Sequence, residues 1–242
     1  MTKSQYVLTC GMDMHEHARL FSYAPVSETT CAVIGYNGIE SSSLLIPEID
    51  PEGRTVVAIG DRAFMNRTAL HAVTLPDSIE AIGARAFAFC TNLLDIRFSS
   101  ECRLASIGSR AFMGCERLTV LRFGQLSHLA DMGRSAFAYC TRLRSVALPT
   151  GMTELAPALF EGCTALEYVR LPETLMAIRT AAFSACSSLR ALIVPSSVKV
   201  IEDCAFAWCD HLSDLRLPES ACLVSGSAFK ECTSLADILQ VG

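Results

Sequence analysis

Eight charged or aromatic residues recur at two fixed positions of a repeating sequence pattern, and their types suit molecular recognition. They stand eight or ten residues after a recurring phenylalanine, where the pattern predicts the exposed positions of a short strand. Arg and Tyr are enriched at the hot spots of protein interfaces, so the set favours a partner-binding surface. The alternative is that neighbouring Asp and Arg side chains neutralise one another on a solvated sheet. The eight residues are Asp95, Arg97, Arg122, Tyr168, Arg170, Asp214, Arg216 and Asp237.

Catalysis and nucleic-acid binding fit these residues less well. Asp214 and Asp237 hold the same position in adjacent repeats, so stacking would place them about 5 Å apart, as in a retaining glycosidase. Stacking gives any such pair this separation, and Arg216 would lower rather than raise the pKa of a nearby carboxyl. The sequence contains no G-x-S-x-G, Walker or H-E-x-x-H motif, so we predict no catalytic residue. A net charge of −5 argues against nucleic acid as a partner.

Eight copies of one repeat must position these side chains, and each copy is anchored by a phenylalanine. Successive anchors are 23 or 25 residues apart. Leu stands six residues after every anchor, and Cys stands three residues after it in all copies but the first, which has Arg67. Apolar residues follow at nine and, except for Gln240, at eleven, so the positions between them should face solvent. The anchors are Phe64, Phe87, Phe112, Phe137, Phe160, Phe183, Phe206 and Phe229.

A fixed period of this length is typical of a solenoid, in which each unit buries its apolar side against its neighbours. The pattern L-x-x-V-x-L predicts a short strand, and the Pro that follows in five copies ends it. The A-F-x-x-C segment is too short for more than one or two helical turns. Each unit is long enough for the crossover that parallel strands require. We therefore predict an α/β repeat fold, with a parallel sheet and short helical or 3-10 turns.

Residues 1–42 precede the repeats and are predicted to form a cap of short strands over the first apolar end. Alternation at 6–9, 19–23 and 31–36 predicts strands, and Asn37-Gly38 predicts a hairpin turn. Residues 43–242 are predicted to form the solenoid, one degenerate repeat and eight regular ones, in one continuous domain. The last strand ends at the C-terminus without a polar cap, which predicts a homodimer through this end or a longer chain.

Twelve cysteines raise the question of disulfides and metal sites. Seven of them share the position beside Phe and Leu, where a small apolar side chain packs well, so we predict buried, reduced thiols. There is no C-x-x-C spacing, and the alternating Asp13, His15 and His17 are expected to be solvated, so neither a metal nor a cofactor is expected. No apolar run is long enough for a secretory signal or a membrane span, which predicts a cytoplasmic protein if Met1 is the native start.

The repeat resembles that of a known family. The pattern L-x-x-V-x-L-P, then I-G-x-x-A-F-x-x-C, with the lead-in VIGYNG and LLIPEIDPEGRTVVAIGDRAF, is similar to the BspA-type leucine-rich repeat family over about residues 31–240. The resemblance implies a right-handed solenoid with a concave parallel sheet. Family members are found among bacterial surface antigens and in some protists, and many are secreted or surface-anchored, so a surface location is the alternative to the cytoplasm. The Asn that commonly follows the strand in other leucine-rich repeats is missing, and the Cys with the Ser or Thr after it is predicted to replace its ladder.

The functional prediction is a non-enzymatic protein-binding scaffold that uses the concave face. A bacterial adhesin or surface antigen that binds a host protein or glycan is an alternative. A second alternative is a carbohydrate-active parallel β-helix enzyme, because a repeat of this length also fits that coil. The two folds should differ in helix content, since the A-F-x-x-C segments would give the leucine-rich repeat a modest helical signal.

Overall fold

The computed structural model describes residues 13–99, 101–123, 126, 128–218 and 222–235. The chain winds into a parallel-sheet solenoid of about eight coils, in which each coil contributes one strand to a concave sheet and one to a second sheet. The concave strands are β3 (Ser43–Leu45), β5 (Ala72–Thr74), β7 (Asp95–Arg97), β9 (Val120–Arg122), β11 (Ser145–Ala147), β13 (Tyr168–Arg170), β15 (Ala191–Ile193) and β17 (Asp214–Arg216).

Each concave strand has three residues, and its middle residue points into the core. Val73, Leu121, Val146 and Leu192 are all at least 96% buried. The flanking residues of β11, β13, β15 and β17 are partly or fully exposed, whereas Ala72 on β5 is buried as well. This is the burial that the alternating pattern predicts. The ladder is divided into three hydrogen-bonded segments, β3-β5-β7, β9-β11-β13 and β15-β17.

The second sheet runs along the other side of the same core. Its strands are mostly two residues long, and the Ile, Leu or Met of each regular coil up to β16 is buried. Coils approach closely here, since a Cβ at Gly108 would stand 2.7 Å from the backbone nitrogen of Ala84. The strands are β4 (Thr55–Ile59), β6 (Ala81–Ile82), β8 (Ser106–Ile107), β10 (Asp131–Met132), β12 (Glu154–Leu155), β14 (Ala177–Ile178), β16 (Val200–Ile201) and β18 (Leu223–Val224).

The eight anchor phenylalanines form one stack through the core. Neighbouring ring centroids are 5.1 to 5.8 Å apart, and the ring planes differ by 2 to 15°. Seven of the eight rings are almost completely buried, and Phe229 packs against the core at the last described coil. Burial of large aromatic rings against one another is the main source of cohesion between coils.

The A-F-x-x-C segments connect the second sheet to the concave sheet through tight turns. Alternate amides donate to the carbonyl three residues earlier, such as the amide of Met65 to Arg62 (3.1 Å), and the intervening amides donate to the next coil, such as Phe64 to Ala86 (2.8 Å). The residues two before and two after the anchor adopt positive φ in every coil but the last, where only Glu231 does, for example 57° at Arg62 and 63° at Asn66. Outside glycine this conformation costs about 1 to 2 kcal/mol per residue.

These turns contain no α-helix, so the modest helical signal expected from them is wrong. The turn hydrogen bonds span three residues, which closes a segment of this length before an α-helical turn can form. In the described part of the chain, α-helix is limited to α1 (Met14–Ala18) and residues 233–235.

The seven repeating cysteines form a ladder between coils. Each thiol donates to the carbonyl of the anchor phenylalanine of the preceding coil, with Sγ to oxygen distances of 2.9 to 3.3 Å. In the first repeat, the guanidinium of Arg67 reaches the carbonyl of Tyr36 in the cap instead (2.7 Å). The hydroxyls of Thr164, Ser187 and Thr233 also donate to the preceding coil. The predicted replacement of the Asn ladder is therefore confirmed.

The buried thiols of this ladder should be chemically inert in the folded protein. Burial raises the pKa of Cys140 to about 12, and the other ladder thiols are raised in the same direction by the same cause. The thiolate is the reactive form, so iodoacetamide at pH 8 should leave all seven unmodified. Mass spectrometry of a Cys10→Ser variant, which removes a cysteine outside the described residues, should find label only on the partly exposed Cys204 and Cys222. Addition of urea should expose all seven, whereas rapid native labelling of any ladder thiol would contradict the prediction.

The cap consists of α1 and the antiparallel strands β1 (Phe21–Pro25) and β2 (Thr30–Tyr36), and β2 continues the second sheet by pairing with β4. The hairpin turn is formed by residues 26–29, so the turn predicted at Asn37-Gly38 is wrong. After Gly38 the chain crosses to the concave sheet, and a Cβ at Gly38 would overlap the Tyr36 ring.

The alternation of Asp13, His15 and His17 also does not produce a strand, because Asp13 caps α1 by accepting the Glu16 amide (2.7 Å). The strand predicted at 6–9 lies outside the described residues.

A buried carboxylate fixes the loop between β3 and β4. Asp50 is 3% exposed and accepts hydrogen bonds from the amides of Glu52 (3.1 Å) and Arg54 (2.8 Å). The Arg54 guanidinium forms a salt bridge with it at 2.7 Å. Burial opposes ionisation of Asp50, but the hydrogen bonds from Arg54 and Cys31 and the charge of Arg54 together hold its pKa below the usual value. The loop therefore carries an ionised aspartate that the cap and the first coil share.

Candidate functional site

The concave strands bring most of the predicted site residues onto one face. In the parallel register, Val120, Ser145 and Tyr168 are adjacent across β9, β11 and β13, and Arg122, Ala147 and Arg170 form the next row. Asp95 and Arg97 lie on β7, and Asp214 and Arg216 lie on β17. Asp237 lies outside the described residues, as does the C-terminal segment proposed to dimerise.

Two predicted pairs neutralise themselves within their own strands. The Arg97 guanidinium contacts the Asp95 carboxylate at 2.6 Å, and Arg216 lies 3.4 Å from Asp214. All four side chains are about half exposed or more, so each pair contributes at most about 1 kcal/mol to stability. The neutralisation hypothesis therefore describes the two ends of the predicted site.

The middle of the face is different because its cation is unpaired. Tyr168 is 70% exposed, and Arg170, also exposed, has no carboxylate within salt-bridge distance in the described part of the chain. Arg122 holds the equivalent register position two strands away. An exposed aromatic ring beside an unpaired guanidinium is the combination that forms hot spots in protein interfaces.

Tyr168 and Arg170 line an open groove of roughly 1000 Å³. It extends from β7 to β13, and its walls include Asp95, Arg97, Tyr168 and Arg170. The floor of the groove is formed by β11, which presents only the small side chains of Ser145 and Ala147. The neighbouring strands present larger side chains, such as Val120 and Tyr168. A groove of this shape can receive an extended segment of a partner.

Sequence reasoning did not select two arginines at the edge of this face. Arg144 and Arg190 stand seven residues after their anchors, are exposed, and form no salt bridge with any described residue. Thr119, in the same position of its coil, lines the groove. The recurrence of Arg at this third position was the sequence signal that could have identified them.

The described residues offer neither a metal site nor a membrane-spanning helix. No group of three or more His, Cys, Asp or Glu side chains there is arranged to hold a metal ion. None of the helices described is long and apolar enough to cross a membrane.

The repeats match a family model described as the BspA type leucine-rich repeat region, with six copies, over residues 57–190 and 130–240. The chain belongs to the BspA-type leucine-rich repeat family. Membership agrees with the resemblance drawn from the sequence and with the predicted leucine-rich-repeat solenoid. None of the curated proteins compared with the chain is significantly similar to it.

Solved structures of bacterial leucine-rich repeat proteins have the same fold. A Treponema pallidum leucine-rich repeat protein is 26% identical, covers 93% of this chain and 92% of its own, and superposes with a TM-score of 0.73. A leucine-rich cell surface protein from Faecalibacterium prausnitzii is 21% identical, covers 89% and 85%, and has a TM-score of 0.65. The pneumococcal vaccine antigen PcpA is 19% identical, covers 83% and 69%, and has a TM-score of 0.51. The last two likenesses concern the fold alone.

Proposed function

We propose that this BspA-type chain is a non-enzymatic scaffold that binds a protein partner in the concave groove. The observation that carries the proposal is the exposed Tyr168 beside the unpaired Arg170 at one wall of an open groove. Arg122 holds the same register position on β9, two strands from Arg170. The self-neutralised pairs at Asp95–Arg97 and Asp214–Arg216 form the polar margin of the same face.

The charge of the groove sets the kind of protein segment it would accept. The protein as a whole has a net charge of −5. Its groove, in contrast, is lined by Arg170, and Arg144 and Arg190 stand at the edge of the same face. None of these three arginines forms a salt bridge with a described residue. A partner segment that carries acidic groups around an apolar or aromatic side chain would complement this surface.

A double variant tests the proposal. The change Tyr168→Ala with Arg170→Ala should reduce retention of the partner about a hundredfold, because it removes two hot-spot residues from one wall. Immobilised wild-type protein and the variant would be incubated with extract of the source organism, and the retained proteins quantified by mass spectrometry. The matched control is Met176→Ala with Arg142→Ala, which removes one large apolar side chain and one arginine, both exposed, outside the groove, and it should retain the partner as wild type does. Equal retention by the double variant would contradict the groove as the binding site.

An adhesin role at the cell surface is the second candidate. It is supported by the likeness to proteins described as a cell surface protein and a vaccine antigen, although these likenesses concern the fold alone. If the protein lies at the surface, biotinylation of intact cells of the source organism would label it. Absence of label on the protein would contradict the adhesin role.

A further inference from the structure

Three exposed aromatic residues occupy the turn position two residues after the anchor. They are Phe89, Tyr139 and Trp208, with exposed fractions of 37%, 48% and 47%. Their φ angles are 62°, 60° and 58°, in the left-handed region that bulky residues rarely adopt. Other coils close the same turn with smaller or polar residues, namely Asn66, Gly114, Gly162, Ala185 and Glu231. A strained backbone that holds an exposed ring, where glycine would serve the turn better, indicates that the ring has a use.

The orientation of these rings is fixed by the next coil. A Cβ at Gly114 would stand 2.7 Å from Cδ1 of Phe89, and a Cβ at Gly162 would stand 2.6 Å from Cδ1 of Tyr139. The rings of Phe89 and Tyr139 therefore occupy space that the following glycines leave open, whereas Trp208 is followed by Glu231. The Tyr139 hydroxyl also donates to the Glu161 carboxylate (3.2 Å), and the ammonium of Lys230 lies 6.0 Å from the Trp208 ring centroid. Held in this way, the rings lose little freedom when a ligand binds.

The rings lie in one row parallel to the solenoid axis. Amides of this column donate to the next coil at 2.7 to 2.9 Å, as from Phe89 to Met113 and from Gly114 to Ala138, so successive members are about 4.8 Å apart. Phe89 and Tyr139 are separated by two coils, or about 10 Å, and Tyr139 and Trp208 by three coils, or about 15 Å. We call Phe89, Tyr139 and Trp208 the aromatic row.

We propose that the aromatic row binds a linear, uncharged polysaccharide of β-linked pyranose units that lies along the solenoid axis. One coil step is close to the length of one pyranose unit in such an extended chain, so sugar rings can keep register with all three aromatic rings. The apolar C–H faces of pyranoses pack on aromatic faces. A protein partner would instead favour a contiguous apolar patch, whereas these rings stand apart.

The polar groups beside the row fit an uncharged ligand rich in hydroxyls. Thr91 and Thr141 stand two residues after Phe89 and Tyr139, and Asp210 stands two residues after Trp208. The charges at the row do not form a field of one sign, since Lys230 lies at Trp208 while Glu161 lies at Tyr139 and Glu231 follows Trp208 in the same column, so an uncharged polymer fits the row better than a polyanion. The site is separate from the concave groove and does not depend on it.

Affinity electrophoresis of the folded protein tests the proposal. Native gels would contain hydroxyethylcellulose, xylan or glycol chitin, and at least one of them should retard the wild-type protein. Tyr139→Gly and Trp208→Gly should each weaken binding about tenfold, while the urea midpoint stays constant or rises because glycine adopts the left-handed turn without strain. Ala185→Gly is the matched control, since it changes the same turn position without removing a ring, and its retardation should equal that of wild type.

Three outcomes would overturn the assignment. These are no retardation in any of the three gels, retardation that both glycine variants retain, and binding by wild type of a proline-rich peptide in place of the sugars. The last would assign the row to a polyproline segment, which also docks on aromatic side chains. Binding to the concave groove is measured by the Tyr168 and Arg170 variant, so either proposal can fail without the other.

Discussion

Replacing Phe137 by alanine is expected to lower the free energy of unfolding by about 3 to 5 kcal/mol. Its ring is fully buried and lies between the rings of Phe112 and Phe160. The distances between ring centroids are 5.3 Å to Phe112 and 5.8 Å to Phe160. Phe123 contacts it from the concave side at 5.6 Å. Alanine would leave a cavity that no neighbour can fill without breaking the stack, so the cost of the cavity should add to the lost transfer free energy of the ring.

Urea unfolding followed by circular dichroism would measure this loss, and the fluorescence of the single tryptophan, Trp208, would report whether distant coils unfold together. The control is Phe89→Ala, the same chemical change at a partly exposed ring, which should cost less than about 1 kcal/mol. A loss at Phe137 no greater than that at Phe89 would show that the stack does not hold the coils together.

Replacing Asp50 by asparagine is expected to destabilise the protein by about 3 kcal/mol at pH 7, because it leaves Arg54 without its buried partner. This loss of stability is at the low end of the range for breaking a buried pair, because 24% of the Arg54 side chain is exposed and can be solvated. Glu52→Gln removes the other carboxylate that contacts Arg54, and that carboxylate is 64% exposed, so the change should cost less than about 1 kcal/mol.

The effect of Asp50 should also depend on pH. Its pKa is lowered by folding, so the ionised carboxylate stabilises the protein above about pH 3.9, the value for an unfolded chain. This stabilisation is lost as the pH falls from there towards the lower pKa of the folded state. Unfolding midpoints of wild type and Asp50→Asn should therefore converge below about pH 4. A constant difference between pH 7 and pH 3 would contradict the ionised pair.

Much of the fold could be predicted because one residue type marks each position of the coil. Phe at the anchor, Leu six residues later and Cys between them each form a buried column, as their apolar character and spacing require. The Cys ladder was predictable in kind, since the repeat places a thiol, followed in most coils by a Ser or Thr hydroxyl, where other leucine-rich repeats carry the Asn.

The turns could not be predicted in the same way. Asn66, Gly114 and Gly162 are suited to a left-handed position, but Phe89, Tyr139 and Trp208 at the same place hide the signal. Asn37-Gly38 suits a hairpin turn, but the chain there passes to a different sheet, a choice that depends on the first coil. The burial of Asp50 was equally hidden, because a loop sequence with Asp and Arg four apart gives no sign that the cap covers it.

The candidate groove was predictable in its position and only partly in its chemistry. Period-two alternation identified the outward residues of β7, β13 and β17 correctly. It could not show that Arg97 and Arg216 turn towards the aspartates of their own strands. Nor could it show that Arg170 forms no salt bridge with a described residue, because side-chain pairing depends on rotamers. Whether a partner binds there is a separate question that the experiments above address.

The hydrogen bonds between coils run parallel to the solenoid axis in both sheets, in the turns and along the Cys ladder. A pulling force along this axis would load the bonds of successive coils in series, so the weakest interface would open first and the remaining coils would stay wound. Each released coil of 23 residues would lengthen the molecule by up to roughly 75 Å. A tether of this kind can give way under tension in steps while keeping a ligand on the coils that remain.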